Sequence, residues 1–352
     1  MDANDYRYSR QTRLPEIGPA GAARLQAGHV MIIGVGALGS QVAELLCRAG
    51  IRKLTLVDPD VVDASNLQRQ MLYAERDVEL GLPKVAAARA RLLQINARLE
   101  VDVHATEFDA AFLAATGLPA DVDVLVDGLD GLDARLQLNA AAVAAGLPYV
   151  YGAALGMEGC CFTVLPGRTA CLHCLLGSPA LHGAQQTCAV AGVLASTIGQ
   201  VATRQFTETV KLLVGRADAC VPDMAYFNVW EGTTFSLPVA RRADCAVCVR
   251  GLAEGDGETA PARSRTLCGR NALQLQVPPQ APAFADLAAR APQGSIRSRT
   301  EYHLERLHVY EGSRYRLTFF RDGRVIVDGT RDEDLAHALL ADALLADAVE
   351  AT

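Results

Sequence analysis

The stretch VMIIGVGALGSQVAELLCRAGIRKLTLVDPDVVDASNLQRQ, residues 30–70, decides the fold. An apolar run leads into the spacing Gly34-x-Gly36-x-x-Gly39, and an amphipathic segment follows it. A second apolar run, KLTLVD, ends at Asp58, which lies 19 residues after Gly39. This order predicts a strand, a tight turn, a helix and a second strand that ends in an acid. Such a unit binds an adenine nucleotide, because the glycines let backbone approach phosphate and the acid bonds ribose hydroxyls.

Strand and helix patterns alternate over residues 29–150. Continuous apolar runs predict the strands HVMIIG, KLTLVD, VDVLVDG and PYVYGAAL. The segments between them predict the helices ALGSQVAELLCRAG, PKVAAARARLLQIN with Pro83 at its first helical position, and one from about Asp133 to Ala145. Apolar strands separated by helices indicate an α/β fold with a Rossmann-like, doubly wound, mostly parallel sheet that is covered on both faces.

The pattern changes after residue 152. CCFTVL reads as a strand, residues 177–183 as a loop, and residues 189–215 as one or two buried helices. AYFNVW and TTFSLPV then predict an antiparallel pair of strands. We therefore assign residues 1–250 to one nucleotide-binding domain.

The rest of the chain predicts a second, smaller domain. Residues 251–265 are rich in glycine, alanine and charge, which is typical of a linker. Residues 266–352 contain a hairpin signal centred on Asp322-Gly323 and a closing helix from about Asp332. This part of the chain is expected to form a small α+β domain.

Composition narrows the class of protein. Half of the 352 residues are hydrophobic, yet no apolar run has the roughly 18 to 20 residues that a membrane span requires. The polar start MDANDYRYSRQ carries no signal-peptide pattern, so a cytoplasmic protein without a membrane partner is expected. The net charge of −7 argues against a nucleic-acid partner, because phosphate binding needs a basic surface.

Four of the ten cysteines form two C-x-x-C pairs, Cys171-Leu-His-Cys174 and Cys245-Ala-Val-Cys248. Two such pairs supply four thiolates to one tetrahedral zinc ion, which closes a structural site. Two unrelated reduced pairs or a thioredoxin-like redox motif are the alternatives, but a redox pair usually occurs once, near the start of a helix.

Polar and cationic residues follow Asp58 closely, namely Asn66, Arg69, Gln70 and Lys84. A pyrophosphate at a helix N-terminus does not need so many, but a triphosphate undergoing transfer needs cations and a magnesium-binding carboxylate. Asp127 and Asp130 lie just past an apolar strand, where ligands bind in open α/β sheets. These residues therefore favour ATP and Mg²⁺ over a nicotinamide cofactor.

Several motifs in order resemble the ThiF/MoeB/HesA family, the bacterial relatives of ubiquitin-activating enzymes. They are RYSRQ, GVGALGS, VDPDVVDASNLQRQ, GLPKVAAA, DGLDGLDARLQLN, YGAALGMEG, TCAVAGV and the two cysteine pairs, over residues 6–248. The tail segments TLCGRNALQLQVPP and FRDGRVIVDGTRDEDLA resemble the C-terminal extension of some ThiF-type members.

The resemblance implies a specific reaction. Family members use ATP and magnesium to adenylate the C-terminal glycine carboxylate of a small ubiquitin-like sulfur carrier that ends in Gly-Gly, and pyrophosphate leaves. Sulfur then displaces AMP to give a thiocarboxylate. The tail lacks an evident rhodanese-type cysteine loop, so a separate sulfur-donor protein is expected as a second partner.

The resemblance also assigns roles to residues. Gly34, Gly36, Gly39 and Gln70 belong to the nucleotide site, and Asp58 holds the ribose. The phosphates are bound by Asn66, Arg69 and Lys84, magnesium by Asp130, and Arg10 reaches the phosphates of the other subunit of a homodimer. Cys188 matches a cysteine that forms a thioester or acyl persulfide in some relatives and is dispensable in others; the alternative is a small buried residue at a helix start.

Two positions depart from the family pattern. Gly131 replaces an asparagine that many relatives carry after the magnesium aspartate, although Arg135 still matches. Gly156 stands where members of the molybdenum pathway tend to carry arginine. The second difference favours the thiazole of thiamine, or another carrier, over the molybdenum pathway.

Alternative functions remain within and outside this chemistry. The carrier can instead serve molybdopterin, cysteine or siderophore synthesis, or a peptide can replace it, as in microcin-type adenylation. A nicotinamide-dependent dehydrogenase leaves Arg69, Lys84 and the cysteine pairs unexplained. A non-catalytic, carrier-binding scaffold has only Gly131 in its favour. The C-terminal domain is expected to dock the carrier or another partner.

Overall fold

The computed structural model describes residues 6–176, 192–251, 264–266, 271–277, 284–292, 294–300, 302–321 and 323–349. The chain divides into two compact units, Met1–Gly257 and Glu258–Thr352. Among the described helices, none combines the length and apolar character that crossing a membrane would need. The boundaries of the predicted linker stay predictions, because most of residues 251–265 lie outside the described part of the chain.

An eight-stranded sheet organises the first unit. Its strands are β1 His29–Ile33, β2 Lys53–Val57, β3 Glu100–His104, β4 Val124–Asp127, β5 Tyr149–Leu155, β6 Glu158–Val164, β7 Met224–Asn228 and β8 Thr233–Leu237. They lie in the order β3-β2-β1-β4-β5-β6-β7-β8. Pairing is parallel from β3 to β5 and antiparallel from β5 to β8. The chain crosses over between β1 and β4, which makes their carboxyl ends the topological switch point where ligands bind.

Helices flank this sheet, and their packing explains the apolar strands. They are α1 Ser9–Thr12, α2 Gly18–Leu25, α3 Ala37–Ala49, α4 Glu75–Glu79, α5 Lys84–Ile95, α6 Ala110–Ala115, α7 Leu132–Ala145, α8 Leu172–Leu176 and α9 Ala195–Leu213, with 3-10 turns at Ala64–Asn66 and Ala217–Ala219. In β1, Val30 and Ile32 enter one core while Met31 and Ile33 enter the other. The predicted sheet with two covered faces is confirmed.

Details differ from the sequence predictions. Strand β3 and helix α6 were not predicted, because β3 is a half-exposed edge strand without an apolar run. Pro83 is the N-cap of α5 rather than its first helical residue, since it has an extended ψ of 139° and bridges to Val61. Within the predicted helical segment 189–215, the described residues form one helix, α9.

The second unit contains a six-stranded antiparallel sheet. Its strands are β9 Ser264–Thr266, β10 Ala272–Gln276, β11 Ile296–Arg299, β12 His303–Tyr310, β13 Ser313–Phe320 and β14 Arg324–Asp328, in the order β11-β12-β13-β14-β10-β9. Helices α10 Phe284–Arg290 and α11 Glu333–Val349 complete it. The predicted hairpin is the β13–β14 pair, although Asp322 lies outside the described residues. The Asp332 side chain accepts a hydrogen bond from the Leu335 N–H, so the helix starts where the sequence predicts.

Candidate nucleotide site and cysteine cluster

Two of the three motif glycines pack tightly at the switch point. Gly34 has a φ of +83°, and a Cβ on it would lie 2.5 Å from the Gly128 backbone. A Cβ on Gly39 would overlap the carbonyl oxygen of Gly34. At Gly36, by contrast, the nearest protein atoms to such a Cβ are 3.9 and 4.0 Å away. Two glycines of the motif thus serve packing, and Gly36 leaves its backbone open to a ligand.

Helix α3 begins directly after this open glycine. Gly36 is its N-cap, and no side chain caps the first turn. Helix N-termini carry N–H groups without intrahelical partners and a partial positive charge, so they favour phosphate. The Val35 N–H donates to Asp58 Oδ2 at 2.6 Å, and the Tyr73 hydroxyl donates to the Val35 carbonyl at 2.6 Å. The turn is therefore fixed before any nucleotide binds.

A buried lysine joins two acids beside the turn. Lys84 Nζ lies 2.7 Å from Asp60 Oδ2 and 4.0 Å from Asp58 Oδ1. Burial raises the pKa of Asp58 to about 6, although the charge of Lys84 opposes this. Burial also disfavours the charge of Lys84, but the two acids and, more weakly, Asp130 outweigh it and raise its pKa. Lys84 is thus a buried charged group held beside the acid that bonds the glycine turn.

The residues after Asp58 form a compact polar turn. Asn66 Oδ1 accepts from the Asp63 N–H at 3.1 Å, and half-buried Arg69 donates to the Ser65 carbonyl at 2.7 Å. Gln70 is only 4% exposed, and its buried Oε1 accepts no hydrogen bond from the described residues. Its Nε2 lies 4.0 Å from the Cβ position of Gly36. A buried amide oxygen without a partner among the described residues, beside the open glycine, indicates a ligand-binding position.

The two acids at the carboxyl end of β4 differ in burial and in their hydrogen bonds. Asp127 is fully buried, and its carboxylate accepts from the Leu129 N–H at 2.9 Å and the Tyr149 hydroxyl at 2.6 Å. Asp130 is exposed. Of the two candidates for magnesium, Asp127 is thus committed to protein hydrogen bonds, and Asp130 alone has its side chain available to an ion.

Other predicted residues lie elsewhere. Arg10 is exposed on α1, and the neighbouring Gln11 donates to the Ala49 carbonyl at 2.7 Å, at the end of α3 opposite to Gly36. The structure therefore does not bring Arg10 to the turn of its own chain. Cys188 lies outside the described residues.

The structure explains one of the two departures from the family pattern, at Gly156, but not the one at Gly131. Gly131 is the N-cap of α7, without a side-chain cap, and a Cβ on it would meet nothing within 4 Å. Its replacement of asparagine therefore removes a possible cap and relieves no clash. Gly156 has a φ of +59°, a conformation that residues with a Cβ rarely adopt.

The four predicted cysteines meet in one cluster. Their sulfur atoms lie within 4.8 Å of one another, with Cys171 to Cys245 at 3.7 Å and Cys174 to Cys248 at 3.5 Å. Four sulfurs about 2.3 Å from a zinc ion would be about 3.8 Å apart, so the cluster fits tetrahedral zinc. The Arg242 N–H also points to Cys174 Sγ at 3.5 Å, which supports a thiolate there.

Three groups in this region escaped the sequence analysis. The sequence could have indicated Asp60, because it is a second acid two residues after Asp58. Tyr73 and Tyr149, which hold Val35 and Asp127, had no such signal, since apolar surroundings hide the role of a buried hydroxyl.

An open glycine at a helix N-terminus, a buried lysine and a free acid at the switch point define a nucleotide-binding enzyme of the α/β class. The chain belongs to the ThiF family, whose model matches residues 8–247. It is 38% identical to the ThiS adenylyltransferase of Bacillus subtilis, over 93% of this chain and 95% of that protein. It is also 36% identical to the molybdopterin-synthase adenylyltransferase of Escherichia coli, over 70% of this chain and 97% of that protein. These relatives identify the chain as a nucleotidyltransferase.

The fold is shared with a solved structure. The crystal structure of E. coli MccB with ATP superimposes with a TM-score of 0.60 at 23% identity, over 69% of this chain and 74% of that chain. At this identity the likeness establishes the fold of the first unit and nothing about its substrate.

Proposed function

We propose that this enzyme uses ATP to adenylate the C-terminal glycine carboxylate of a ubiquitin-like sulfur carrier, which prepares it for thiocarboxylate formation. The observation that carries the proposal is that buried Lys84 contacts Asp58, which bonds the glycine turn directly before the open backbone of Gly36. Lys84 is the buried cation, and Asp130 contributes to its raised pKa. Both groups therefore lie in one electrostatic environment.

The geometry supports separate roles for the residues of the nucleotide site. The first turn of α3 receives phosphate oxygens, while the Asp58 carboxylate, already bonded to the Val35 N–H, has lone pairs left for ribose hydroxyls. Lys84 and Arg69 offset the repulsion between an anionic carboxylate and the triphosphate and stabilise charge as pyrophosphate leaves. No general base is required, because the attacking carboxylate is ionised at neutral pH.

Asp130 would hold Mg²⁺, which neutralises phosphate charge during transfer. Zinc would be held by the four-cysteine cluster and would have a structural role, because all four ligand positions are filled by protein. A cytoplasmic location, a separate sulfur donor and a part for Cys188 remain predictions of the sequence.

The thiazole of thiamine is the pathway we propose. The ThiS adenylyltransferase of B. subtilis matches 93% of this chain, whereas the molybdopterin relative matches 70%. The first match therefore extends into the C-terminal unit. This supports a shared use of that unit, for which we propose carrier or partner docking.

A homodimer in which Arg10 acts in trans is also part of the proposal. The Tyr8 ring at the start of α1 packs closely against Gly50, where a Cβ would overlap the ring. Helix α3 separates this point from Gly36 by 13 residues, or about 20 Å. That distance is far longer than an arginine side chain, which supports delivery of Arg10 to the neighbouring subunit.

Pyrophosphate exchange tests the main proposal. Purified enzyme is given ATP and, one at a time, candidate carriers that end in Gly-Gly, with Asp130→Ala as the control. Exchange that depends on one carrier and is lost in Asp130→Ala is the expected result, and the carrier names the pathway. ATP binding without exchange, for every carrier, would contradict the proposal and favour a peptide substrate or a scaffold.

Subunit complementation tests Arg10 separately. Arg10→Ala and Asp130→Ala homodimers are each expected to be inactive. Mixing them with subunit exchange creates heterodimers in which one site contains both native residues, so about a quarter of wild-type activity should return. If mixing restores nothing although heterodimers form, Arg10 does not act in trans.

A further inference from the structure

Four buried polar side chains lie beneath the loop that carries Asp130. We name this group, Asp127, Arg135, Tyr149 and Gln205, the buried clamp. Its members come from β4, α7, β5 and α9, so four separate elements converge on one short loop. Asp127, Tyr149 and Gln205 are fully buried, and the Arg135 side chain is 13% exposed.

Asp127 is the centre of the buried clamp. Its side chain receives the Leu129 N–H and the Tyr149 hydroxyl, and Arg135 Nε lies 3.4 Å from Oδ2. Its backbone carbonyl accepts a hydrogen bond of 2.8 Å from Gln205 Nε2. The start of the loop is therefore fixed to Gln205, and its first turn is fixed to the Asp127 carboxylate.

Arg135 is turned into the protein, where several groups contact its guanidinium. Its guanidinium donates to the Leu129 carbonyl and, at 3.3 Å, to the Gly152 carbonyl. It also stacks on Tyr151, with 5.3 Å between the guanidinium carbon and the ring centroid. Nη2 of Arg135 therefore bonds two protein carbonyls, while Nε faces the Asp127 carboxylate as an ion pair.

These contacts bear on the chemistry through Leu129, which directly precedes Asp130. Its N–H is bonded to Asp127, and its carbonyl is bonded to Arg135. A fork-shaped guanidinium can hold one carboxylate and two carbonyls at once, which an ammonium group cannot. Buried charges in such a network are costly to leave unpaired, so the arrangement has few alternatives.

We propose that Arg135 is a positioning residue that, through Asp127 and Leu129, holds the Asp130 carboxylate where Mg²⁺ meets the ATP phosphates. This inference rests on the role of Asp130 in the proposed function. Preorganisation of a metal ligand should strengthen the Mg²⁺-dependent part of ATP binding and leave binding of the nucleotide alone unchanged.

The test measures ATP affinity with and without Mg²⁺, which needs no carrier and no turnover. The variants are Arg135→Lys, which keeps the charge, and Tyr149→Phe, which removes one hydrogen bond to Asp127. For Arg135→Lys we expect the Mg²⁺-dependent gain in affinity to fall about tenfold, with metal-free affinity within about twofold of wild type. Tyr149→Phe should show a smaller loss of the same kind, and both proteins should keep their circular dichroism spectra.

Combination with Asp130→Ala sharpens the result. Because Arg135 acts through Asp130, Arg135→Lys should cause no further loss of the Mg²⁺-dependent gain in the Asp130→Ala background. The inference is overturned if Arg135→Lys keeps the wild-type gain, or if affinity falls equally with and without Mg²⁺. A wild-type enzyme without any Mg²⁺-dependent gain would instead refute the role of Asp130 in the proposed function, and this inference with it.

Discussion

The nucleotide site and the cysteine cluster are assembled differently. The glycine turn, Asp58 and the polar turn after it all come from residues 34–70. Hydrogen bonds from backbone N–H groups to the Asp58 and Asn66 side chains hold them in place. The cysteine cluster joins pairs that are 74 residues apart, through sulfur atoms that face one another. The glycine turn and Asp58 are positioned by local chain geometry, with Lys84 and Asp130 added from further along the chain, whereas the cysteine cluster depends wholly on the approach of distant segments.

The two regions also differ in what they leave open. Gln70 has a buried oxygen without a partner among the described residues, and Gly36 and Asp130 face open space. In the cluster, four sulfurs satisfy the four positions of a tetrahedral metal. Polar groups without protein partners indicate a site for exchangeable ligands. A metal site whose four ligand positions are all filled by protein indicates a structural role. Substitutions in the cluster should therefore affect folding, and substitutions in the nucleotide site should mainly affect binding.

The largest effect is expected for Cys171→Ser, which removes a buried ligand of the cluster. We expect loss of zinc and a fall in the thermal midpoint of about 10 °C or more, because a structural zinc ion contributes several kcal/mol to folding. Zinc content and thermal unfolding check this. Cys220→Ala, outside the cluster, should keep one zinc per chain. A stable Cys171→Ser protein that retains zinc would show that the cluster is not the metal site.

Gly39→Ala and Gly36→Ala compare a glycine needed for packing with a glycine that faces the ligand space. The new methyl group at residue 39 overlaps the Gly34 carbonyl, so we expect a loss of about 3 kcal/mol in the free energy of unfolding. At Gly36 the methyl group has room in the protein but occupies ligand space, so stability should change by less than about 1 kcal/mol while ATP affinity falls about tenfold.

Urea unfolding and ATP titration of the two variants provide the measurement. Equal stability losses at both positions would contradict the distinction between a packing glycine and a ligand-facing glycine. Unchanged ATP affinity in Gly36→Ala would place the phosphates elsewhere.

The pH dependence of ATP affinity tests Asp58. Burial raises its pKa to about 6, so the carboxylate that accepts ribose hydroxyls is progressively protonated below that pH. ATP affinity should then fall by up to about tenfold per pH unit below 6. Asp58→Asn should bind ATP more weakly and lack this dependence between about pH 5 and 7, and a wild-type profile that is flat there would refute the assignment.

Protonation of Asp58 should weaken ATP binding but stabilise the folded protein. The pKa of Asp58 is higher in the folded protein than the ordinary value of 3.8, so the folded state binds the proton more tightly. The contribution of Asp58 to the free energy of unfolding is therefore greatest below that value and is lost as pH rises through about 6. Comparison of wild type with Asp58→Asn by urea unfolding at several pH values measures it.

The smallest effect is expected at Gly131. Asparagine there can cap α7 in open space, so Gly131→Asn should stabilise the protein by a few tenths of a kcal/mol and leave adenylation within about twofold. Gly131→Ala lacks the capping oxygen and should be slightly destabilising. If Gly131→Asn instead raises exchange activity tenfold, the glycine limits the chemistry of the Asp130 loop.

Particular residues show how far the sequence alone can predict this site. The spacing after Gly39 predicted Asp58 as the acid for ribose hydroxyls, and the structure bonds its carboxylate to the Val35 N–H of the glycine turn, while the ribose contact stays a prediction. Asp127 and Asp130 could not be told apart by spacing, and the structure separates them by burial. Arg135 matches the family pattern, yet only packing shows that it faces Asp127 and Leu129.

The sequence by itself determined the apolar strands, the glycine turn with Asp58 at its side and the two C-x-x-C pairs. All of these follow from chain geometry over a few residues or from periodic burial. The two C-x-x-C pairs also predicted one shared site, and the tertiary structure brings their sulfur atoms together. Only the tertiary structure decided that Lys84 pairs with Asp60 and that Arg10 lies at the far end of α3 from Gly36. The reason is that contacts between distant segments depend on how whole elements pack, and residue spacing along the chain does not specify that packing.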